Sequence, residues 1–372
     1  MNFFVLVIGL YLLISYVLIK LLGLISDVYK KRLVIGFYWC LNFFVLSGLF
    51  FLRFREIDNI SSAVGKLFFT YISLQFMALL LSPLALLIEK ILSINSNNTF
   101  DDTKRNLLKK IAIAVPTFSL GVSLYGVYNE SENIKINTLK LEVEAKAKGL
   151  SDFKIIQLSD IHLGLFFSME KLEACLKLIQ AEKADLLVIT GDLIDDLSLL
   201  TPTITLLEQY QQYFNNKIVI SWGNHEHIRN FKLIEQAFKD SEITVLCNEN
   251  YQINQKLYLL GVDYPFDNSK LNRSNMLNLA QKNIPQEALK VLLSHHPAFI
   301  EESFENNIAL TLAGHTHGGQ FPGFAQMISL RYKYYKGLYK KGDLYGYVNV
   351  GLGHWMPFRL GCRPEITIFI LK

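Results

Sequence analysis

The sequence predicts a two-part protein, in which an all-α bundle of about four transmembrane helices precedes an α/β domain with helices on the faces of mixed sheets. Three observations support this prediction. Four long apolar runs occupy the first third of the chain, short apolar strands alternate with helical patterns after residue 150, and polar clusters follow directly after several of those strands. With 372 residues, the chain is long enough for about two domains of roughly 150 residues each.

Composition favours a chain that is partly embedded in lipid. Hydrophobic residues make up 51% of the sequence and charged residues only 19%, whereas soluble domains usually carry about 25% charged residues. The net charge of +4 is too small to argue for nucleic-acid binding. The cysteines lie far apart without metal-ligand spacing, so they do not fix the redox compartment; they are Cys40, Cys175, Cys247 and Cys362.

The apolar runs predict a membrane anchor over residues 1–128. Each approaches the ~20 residues that a helix needs to cross a bilayer, although Pro116 interrupts the last one. A signal peptide is not favoured, because no Lys or Arg precedes the first run and more apolar runs follow it. In a soluble helical domain, the alternative, the runs should be shorter and interrupted by charge. We interpret Gln75 as an interhelical hydrogen-bonding residue. The runs are Phe3–Ile25, Leu33–Leu52, Leu67–Ile94 and Ile111–Tyr128.

The charges between the runs predict the orientation of the anchor. The first and third loops are strongly basic, whereas the basic residues of the second loop are partly offset by Glu56 and Asp58. The positive-inside rule therefore places the first and third loops in the cytoplasm. Four crossings then put everything after Tyr128 outside the cytoplasm. The basic residues are Lys30, Lys31 and Arg32 in loop one, Arg53, Arg55 and Lys66 in loop two, and Lys90, Lys104, Arg105, Lys109 and Lys110 in loop three.

The remaining chain is predicted to contain a short connection and one α/β domain. Residues 129–150 read as a polar linker followed by a leading strand at Leu139–Ala145, and residues 151–372 form the domain. We predict strands at Ile155–Leu158, Leu186–Thr190, Ile218–Ser221, Leu257–Leu260, Val291–Leu293, Ile308–Leu312, Leu344–Val350 and Glu365–Leu371. We predict helices at Met169–Glu182, Leu199–Phe214, Phe231–Lys239 and Ser269–Gln281.

Polar clusters follow five of the predicted strands. The first strand ends in Asp160 and His162, whose side chains point to the same side of an extended chain. Singly, the clusters have structural alternatives, such as a turn at Gly191-Asp192 or a helix cap at Asn224. Ligand sites gather outside the carboxyl ends of strands in α/β folds, and carboxylates with imidazoles suit first-row divalent metals. The other clusters are Gly191-Asp192, Gly223-Asn224-His225-Glu226, Ser294-His295-His296 and Gly314-His315-Thr316-His317.

The order Asp-x-His, Gly-Asp, Gly-Asn-His-Glu, His and Gly-His-x-His resembles the calcineurin-like metallophosphoesterase superfamily. Later blocks resemble a bacterial, membrane-associated branch of it, some members of which act on lipids or nucleotide-linked lipids. The resemblance implies a four-layer α/β/β/α sandwich of mixed sheets. Together with the anchor and its loop charges, it leads us to expect an integral protein of the bacterial cytoplasmic membrane whose catalytic domain is extracytoplasmic. The later blocks are Gly337-Leu338-Tyr339, Gly351-Leu352-Gly353, Pro357-x-Arg359 and Pro364-Glu365-Ile366-Thr367.

The resemblance also implies two divalent metal ions (Mn, Fe or Zn) and a hydroxide that bridges them and attacks the phosphate. His225 would be the catalytic residue that protonates the leaving oxygen. Glu226 and Asp195 are either partners that orient the ligands or solvated loop acids. His296 is not counted as a ligand. The implied metal ligands are Asp160, His162 and His317 for one ion, Asn224, His295 and His315 for the other, and Asp192 as the bridge.

Residues 321–341 combine aromatic and basic side chains directly after the last cluster. This combination suits an anionic headgroup at a membrane surface, although a packed helix with a solvated basic face is the alternative. We predict substrate binding by Arg331, Lys333 and Arg359, with residues 355–358 as a second apolar lip. The expected partners are the lipid bilayer and a phosphorylated small molecule or lipid, without nucleic acid.

The predicted function is hydrolysis of a phosphodiester or pyrophosphate bond, in a lipid or lipid-linked substrate, by a membrane-anchored dinuclear-metal phosphoesterase. Two alternatives stay open. A non-catalytic membrane interaction module could keep the same fold. A nuclease or nucleotide phosphodiesterase would need a long basic track for phosphates, which an anchored domain of small net charge does not favour.

Overall fold

The computed structural model describes residues 2–52, 59–94, 102–143, 150, 152–215, 217–354 and 356–372. The chain divides into two compact units, Met1–Asn129 and Glu130–Lys372. The charges of residues 53–58, which enter the orientation prediction, and Trp355 of the predicted second lip lie outside the described residues.

Among its described residues, the first unit contains four long helices that correspond to the four apolar runs. They are long and apolar enough to cross a membrane. Large apolar side chains such as Leu33, Phe37 and Phe43 lie on the outside of the bundle, as expected for helices that face lipid rather than water. Pro116 lies inside the fourth helix without ending it. The helices are α1 (Asn2–Ile25), α2 (Arg32–Leu52), α3 (Asn59–Ile94) and α4 (Asp102–Tyr128).

A network of polar side chains joins α1, α2 and α3 inside this bundle. The Gln75 side chain donates hydrogen bonds to Asn42 Oδ1 and to the Tyr11 hydroxyl, both over 2.9 Å. Its carbonyl accepts from Ser15 Oγ at 2.8 Å and from the Tyr38 hydroxyl at 2.5 Å. Gln75 therefore makes the predicted interhelical hydrogen bonds, and its partners satisfy one another in an apolar surrounding.

The described part of the second unit contains two six-stranded mixed sheets. The order of the first sheet is β1-β12-β2-β3-β4-β5, and that of the second is β10-β11-β9-β8-β7-β6. The first is built from β1 (Lys135–Leu141), β2 (Lys154–Leu158), β3 (Leu186–Thr190), β4 (Ile218–Ser221), β5 (Thr244–Leu246) and β12 (Glu365–Leu371). The second contains β6 (Glu249–Gln252), β7 (Leu257–Gly261), β8 (Leu289–Leu293), β9 (Leu310–Ala313), β10 (Gly337–Lys341) and β11 (Leu344–Val348).

Helices cover the outer face of each sheet, which confirms the predicted four-layer sandwich. Leu176 of α5 packs with Ile156 and Ile189 on the outer face of the first sheet, while Ile155 and Val188 face the second sheet. Strands buried on both faces have continuous apolar sequences, as β2 and β3 do. The helices are α5 (Met169–Gln180), α6 (Leu200–Gln211), α7 (Asn224–Ile228), α8 (Phe231–Lys239), α9 (Lys270–Ala280), α10 (Phe299–Glu305) and α11 (Phe324–Arg331).

The leading strand differs from its prediction. β1 starts at Lys135, inside the segment interpreted as a linker, and pairs in parallel with β12 from Lys135–Glu365 to Leu141–Leu371. Its side chains are mostly exposed, so the strand is held by backbone pairing and carries little hydrophobic signal. The second unit therefore begins at Glu130, within the segment that the sequence suggested to be a linker.

Candidate metal centre

The predicted ligands follow strands of both sheets at one edge of the sandwich. Asp160 and His162 follow β2, and Asp192 follows β3. His295 follows β8, and His315 and His317 follow β9. These six residues make up two groups of three, and within each group the ligand atoms lie within 4.8 Å of one another. The seventh, Asn224, begins α7, and the backbone N–H of its neighbour His225 donates to Asp192 Oδ1 over 2.8 Å.

The first group joins Asp160, His162 and His317. The Nε2 atoms of the two histidines are 3.1 Å apart, and His317 Nε2 lies 3.4 Å from Asp160 Oδ1. All three side chains are buried. This is the set implied for the first metal, and a carboxylate with two imidazoles matches the ligands that Mn, Fe and Zn accept.

The second group joins Asp192, His295 and His315. His295 Nε2 lies 3.1 Å from Asp192 Oδ2, and the same carboxylate oxygen lies 3.7 Å from His162 Nε2 of the first group. Asp192 therefore stands between the two groups, where a bridging carboxylate has to be.

The backbone at these residues adopts an unusual conformation. Asp160, His162, Asp192, His315 and His317 all have φ between 49° and 76°, in the left-handed region. A residue other than glycine that is held there costs on the order of 1–3 kcal/mol, and such residues cluster at functional sites. The surrounding fold therefore holds these five side chains in place at a cost in stability.

Neighbouring groups fix the orientation of the ligands. The Nδ1 atom of His295 donates to the Thr190 carbonyl oxygen over 2.8 Å, which leaves Nε2 free to bind a cation. Gly191, between Thr190 and Asp192, has a φ of 78°, and a Cβ there would lie 2.6 Å from His295 Nδ1. Asp160 accepts from the His315 backbone N–H over 3.0 Å. A larger residue at position 191 would therefore displace the His295 ring.

Glu226 is a buried structural carboxylate rather than a solvated acid. Its Oε2 accepts from the backbone N–H groups of Gly223 (2.8 Å) and Asp192 (3.0 Å). Its Oε1 accepts from those of Leu193 (2.7 Å) and Ile194 (3.2 Å). Glu226 thus ties the loop after β3 to the loop after β4 and holds the backbone at Asp192 and Asn224.

Asp195 contacts two histidines of the site. Its Oδ1 accepts from His225 Nδ1 over 2.5 Å, and its Oδ2 lies 3.3 Å from His162 Nδ1. Arg229 Nη2 lies 3.2 Å from Oδ1. The His225 Nε2 atom faces the cluster, 3.9 Å from Asp192 Oδ2. Asp195 thus fixes the ring so that Nε2 is the atom available for proton transfer.

The buried carboxylates of the site stabilise positive charge on the groups around them. Burial disfavours the charged form of His295, but Asp192 and Asp160 outweigh it and raise its pKa to about 10. Burial likewise opposes charge on His225, but Asp192 and Asp195 raise its pKa to about 9. Burial acts to raise the pKa of Asp192, yet His295 and His225 hold it well below its usual range. The same carboxylates would stabilise bound divalent cations.

Two buried polar atoms support the fit of cations. Among the described residues, Asn224 Oδ1 and His295 Nε2 have no hydrogen-bond partner, although Asp192 Oδ2 is 3.1 Å from the latter. Buried polar atoms are rarely left unsatisfied. Both belong to the set implied for the second metal, so the residues present fit two cations.

Two tyrosines that sequence reasoning missed also reach the site. The hydroxyl of Tyr332 lies 3.1 Å from His315 Nε2, and that of Tyr264 lies 3.4 Å from the same atom. Tyr264 comes three residues after β7, so the rule that polar groups gather after strand ends could have found it. Tyr332 lies inside the aromatic and basic segment that the sequence singled out.

The three predicted substrate-binding residues have different surroundings. Arg331 is exposed next to Tyr332, with its guanidinium 5.9 Å from the ring centroid. Lys333 is exposed and forms an ion pair of 2.5 Å with Glu301. Arg359 is fully buried, and its guanidinium donates to the carbonyl oxygens of Cys362 (3.0 Å), Val350 (2.9 Å), Gly351 (3.3 Å) and Gly353 (2.7 Å). The prediction for Arg359 is therefore corrected, because its guanidinium is buried and its Nη1 and Nη2 groups donate to backbone carbonyl oxygens of a loop beside His317.

Comparisons with known proteins identify residues 153–319 as matching the calcineurin-like phosphoesterase family model. The uncharacterized metallophosphoesterase YkuE of Bacillus subtilis is 29% identical, over 73% of this chain and 98% of that protein. An uncharacterized metallophosphoesterase of Campylobacter jejuni is 24% identical over 97% of this chain and 99% of its own length. A Bos taurus transmembrane protein with a metallophosphoesterase domain is 28% identical over 73% of this chain and 64% of that protein.

Proposed function

Since the chain belongs to the calcineurin-like phosphoesterase superfamily, we propose that it is a membrane-anchored phosphoesterase that uses two divalent metal ions. The substrate we propose is a phosphodiester or pyrophosphate, in a lipid or lipid-linked molecule. The observation that carries the proposal is the meeting of two ligand groups, from strands of both sheets, around the shared Asp192.

The metal ions, when bound, would neutralise the phosphate oxygens and allow a water to ionise near pH 7. Asp160, His162 and His317 would hold one ion, and Asn224, His295 and His315 the other, with Asp192 between them. The protein itself would supply the proton for the leaving oxygen.

In this proposal His225 donates that proton from Nε2, while Asp195 holds Nδ1. The 2.5 Å contact between Asp195 Oδ1 and His225 Nδ1 supports this division of roles. Positioned acids of this kind typically contribute ~10²–10⁴-fold to the rate. The leaving oxygen of a lipid or alkyl ester is strongly basic, so the proton matters most for such substrates.

A lipid substrate is supported by the groups around the site. Tyr332 and Arg331 stand at its edge, and the segment from Phe321 to Lys341 contains basic but no acidic residues. Aromatic and basic groups together suit an anionic headgroup at a bilayer. The four candidate membrane spans would hold the domain on the same membrane as such a substrate.

The deciding experiment uses the purified full-length protein, stripped of metal and reloaded with Mn, Zn or Fe. Its hydrolysis of a phosphodiester, a monoester and a panel of lipid pyrophosphates is compared with that of Asp192→Asn. We expect turnover only in the reloaded wild type. Restored metal content without turnover on any substrate would refute the proposal and favour a non-catalytic interaction module.

The lipid specificity has its own test. Arg331→Gln should reduce cleavage of a lipid substrate in bilayers far more than cleavage of a small chromogenic phosphodiester. Lys232→Gln, at an exposed position on α8, is the matched control. Equal losses of Arg331→Gln on both substrates would count against a lipid.

The orientation can be tested with alkaline phosphatase fused after Lys372, because this reporter is active only outside the cytoplasm. We propose a place in the bacterial cytoplasmic membrane with the catalytic unit outside. An inactive fusion, together with fluorescence from a cytoplasmic fluorescent-protein fusion at the same position, would reverse the topology.

A further inference from the structure

The α11 helix exposes an apolar face beside the metal centre. Met327 and Leu330 are 64% and 89% exposed, and their spacing of three residues puts them on the same side of the helix. α11 has no fully buried residue, although Phe324 stacks on the buried Phe321, so Met327 and Leu330 are the side chains that this helix leaves uncovered. Exposed apolar clusters on a folded domain usually mark an interaction surface.

This apolar face lies at the mouth of the site. Tyr332 ends α11, and its hydroxyl lies 3.1 Å from His315 Nε2, so Leu330 is two residues from a group that touches a proposed ligand. Phe266 is 66% exposed. It packs against Tyr264, whose hydroxyl also approaches His315, with ring centroids 5.0 Å apart. Exposed apolar side chains are thus connected to the site through both tyrosines.

The charged residues of the segment that carries α11 are all basic, whereas Phe266 is followed by the exposed Asp267. Arg331 and Lys336 are exposed, and the segment from residue 321 to 341 has no acidic side chain. Glu301, from α10, offsets the charge of Lys333 through their ion pair. An exposed helix with apolar residues and neighbouring cations matches the composition of helices that lie in the interface of an anionic bilayer.

We infer that the exposed apolar side chains of Met327, Leu330 and Phe266, which we name the rim face, dock onto the surface of a bilayer containing anionic lipid. The inference rests on the membrane anchoring proposed above and adds which surface of the catalytic unit meets the lipid. A basic residue near an anionic leaflet contributes about 1 kcal/mol, so Arg331 and Lys336 favour this occupant over a neutral protein surface. A docked rim face would let a lipid reach the metal centre without crossing water.

The test places an environment-sensitive NBD fluorophore on Leu330→Cys in the full-length protein. Cys40 and Cys247 are first replaced by Ser, since Cys175 and Cys362 are buried. Labels on Leu13→Cys, on the exposed side of α1, and on Gln209→Cys, exposed on α6, serve as controls. The labelled proteins are reconstituted in nanodiscs of phosphatidylcholine with or without phosphatidylglycerol, and nitroxide lipids quench the fluorophore.

We expect the label at position 330 to be quenched at least about twofold more than the label at 209, because an interfacial helix lies about 5–10 Å deep. The difference should grow with phosphatidylglycerol and shrink in Lys336→Gln. Equal quenching at 330 and 209 overturns the docking. An equal effect with and without phosphatidylglycerol overturns the anionic lipid.

Two further outcomes separate this inference from the proposed function. Quenching at position 13 but not at 330 leaves the anchor intact and refutes the docking alone. If position 13 is not quenched, the anchoring itself fails, and the docking with it. A blue-shifted but unquenched label at 330 means that protein covers the rim face, as a second copy of the chain would do, and this outcome also overturns a lipid occupant.

Discussion

Replacing Asp195 with Asn tests whether His225 is a proton donor, because the variant should be slowed most on substrates whose leaving oxygen needs a proton. The Asp195 carboxylate contacts His225 Nδ1 at 2.5 Å, and its charge supports the positive imidazolium. An amide keeps the size of the side chain but removes that charge. The variant should lose most of the ~10²–10⁴-fold that a positioned acid contributes.

The loss should depend on the basicity of the leaving oxygen. An alkoxide is a strong base and cannot leave without a proton, whereas p-nitrophenolate leaves unaided. We expect Asp195→Asn to lower kcat for an alkyl phosphodiester by about 10²-fold or more, and for a p-nitrophenyl phosphodiester by less than about 10-fold. Steady-state kinetics on the two substrates, with equal metal loading, measure the difference.

Two controls keep the result interpretable. Asp196→Asn changes the next residue, whose Oδ1 accepts from the Ser198 backbone N–H over 2.9 Å, and an Asn can still accept that bond. Metal content measured by mass spectrometry detects any indirect effect through His162, which lies 3.3 Å from the other Asp195 oxygen. Equal losses on both substrates at full metal content would refute the role of Asp195 in holding a proton donor.

Three other changes test separate parts of the structure. Asp192→Asn should lower the bound metal from two ions per chain to one or none, because its carboxylate stands between the two ligand groups; two ions retained would contradict a bridging role. Glu226→Gln should destabilise the catalytic unit by about 3 kcal/mol, since an amide cannot accept from all four backbone N–H groups as the carboxylate does. The melting temperature of the variant should fall by roughly 6–12 °C. An unchanged melting temperature would mean that Glu226 does not hold the two loops. Gln75→Leu should cost about 1 kcal/mol in the helical unit, measured by thermal unfolding in detergent. Leu13→Ala, on the exposed side of α1, is the control, and a smaller cost than that of the control would argue against the network.

Much of the sandwich could be predicted because its central strands are buried on both faces. The limits of β3, Leu186–Thr190, and of β4, Ile218–Ser221, agree with those read from the sequence. β5, β6 and β10 were not predicted, since they lie near or at the sheet edges and are short or partly exposed. α11 was predicted only as the alternative for residues 321–341, because Met327 and Leu330 are exposed and its apolar residues give no clear amphipathic pattern toward a core.

The candidate site was predictable in its residues but not in its geometry. The motifs give the residue types at the strand ends, and the structure brings these residues together. The left-handed backbone at Asp160 and His317 has no sequence signal, since it is imposed by contacts from distant strands. For Arg359, in contrast, the residue type suggested a role that the fold contradicts. Arginine suits phosphate recognition, but only the fold reveals that Arg359 is buried and that four backbone carbonyl oxygens accept from its Nη1 and Nη2 groups.

The pairing of β1 with β12 has a consequence for biosynthesis. Among the described strands, β1 contacts the first sheet through β12, which comes after all the other described strands in sequence. A nascent polypeptide therefore exposes the edge of β2 and carries a partnerless β1 until residues 365–371 have left the ribosome. A premature stop codon just before Glu365 would spare every proposed metal ligand but remove β12, the strand that joins β1 to β2 in the first sheet.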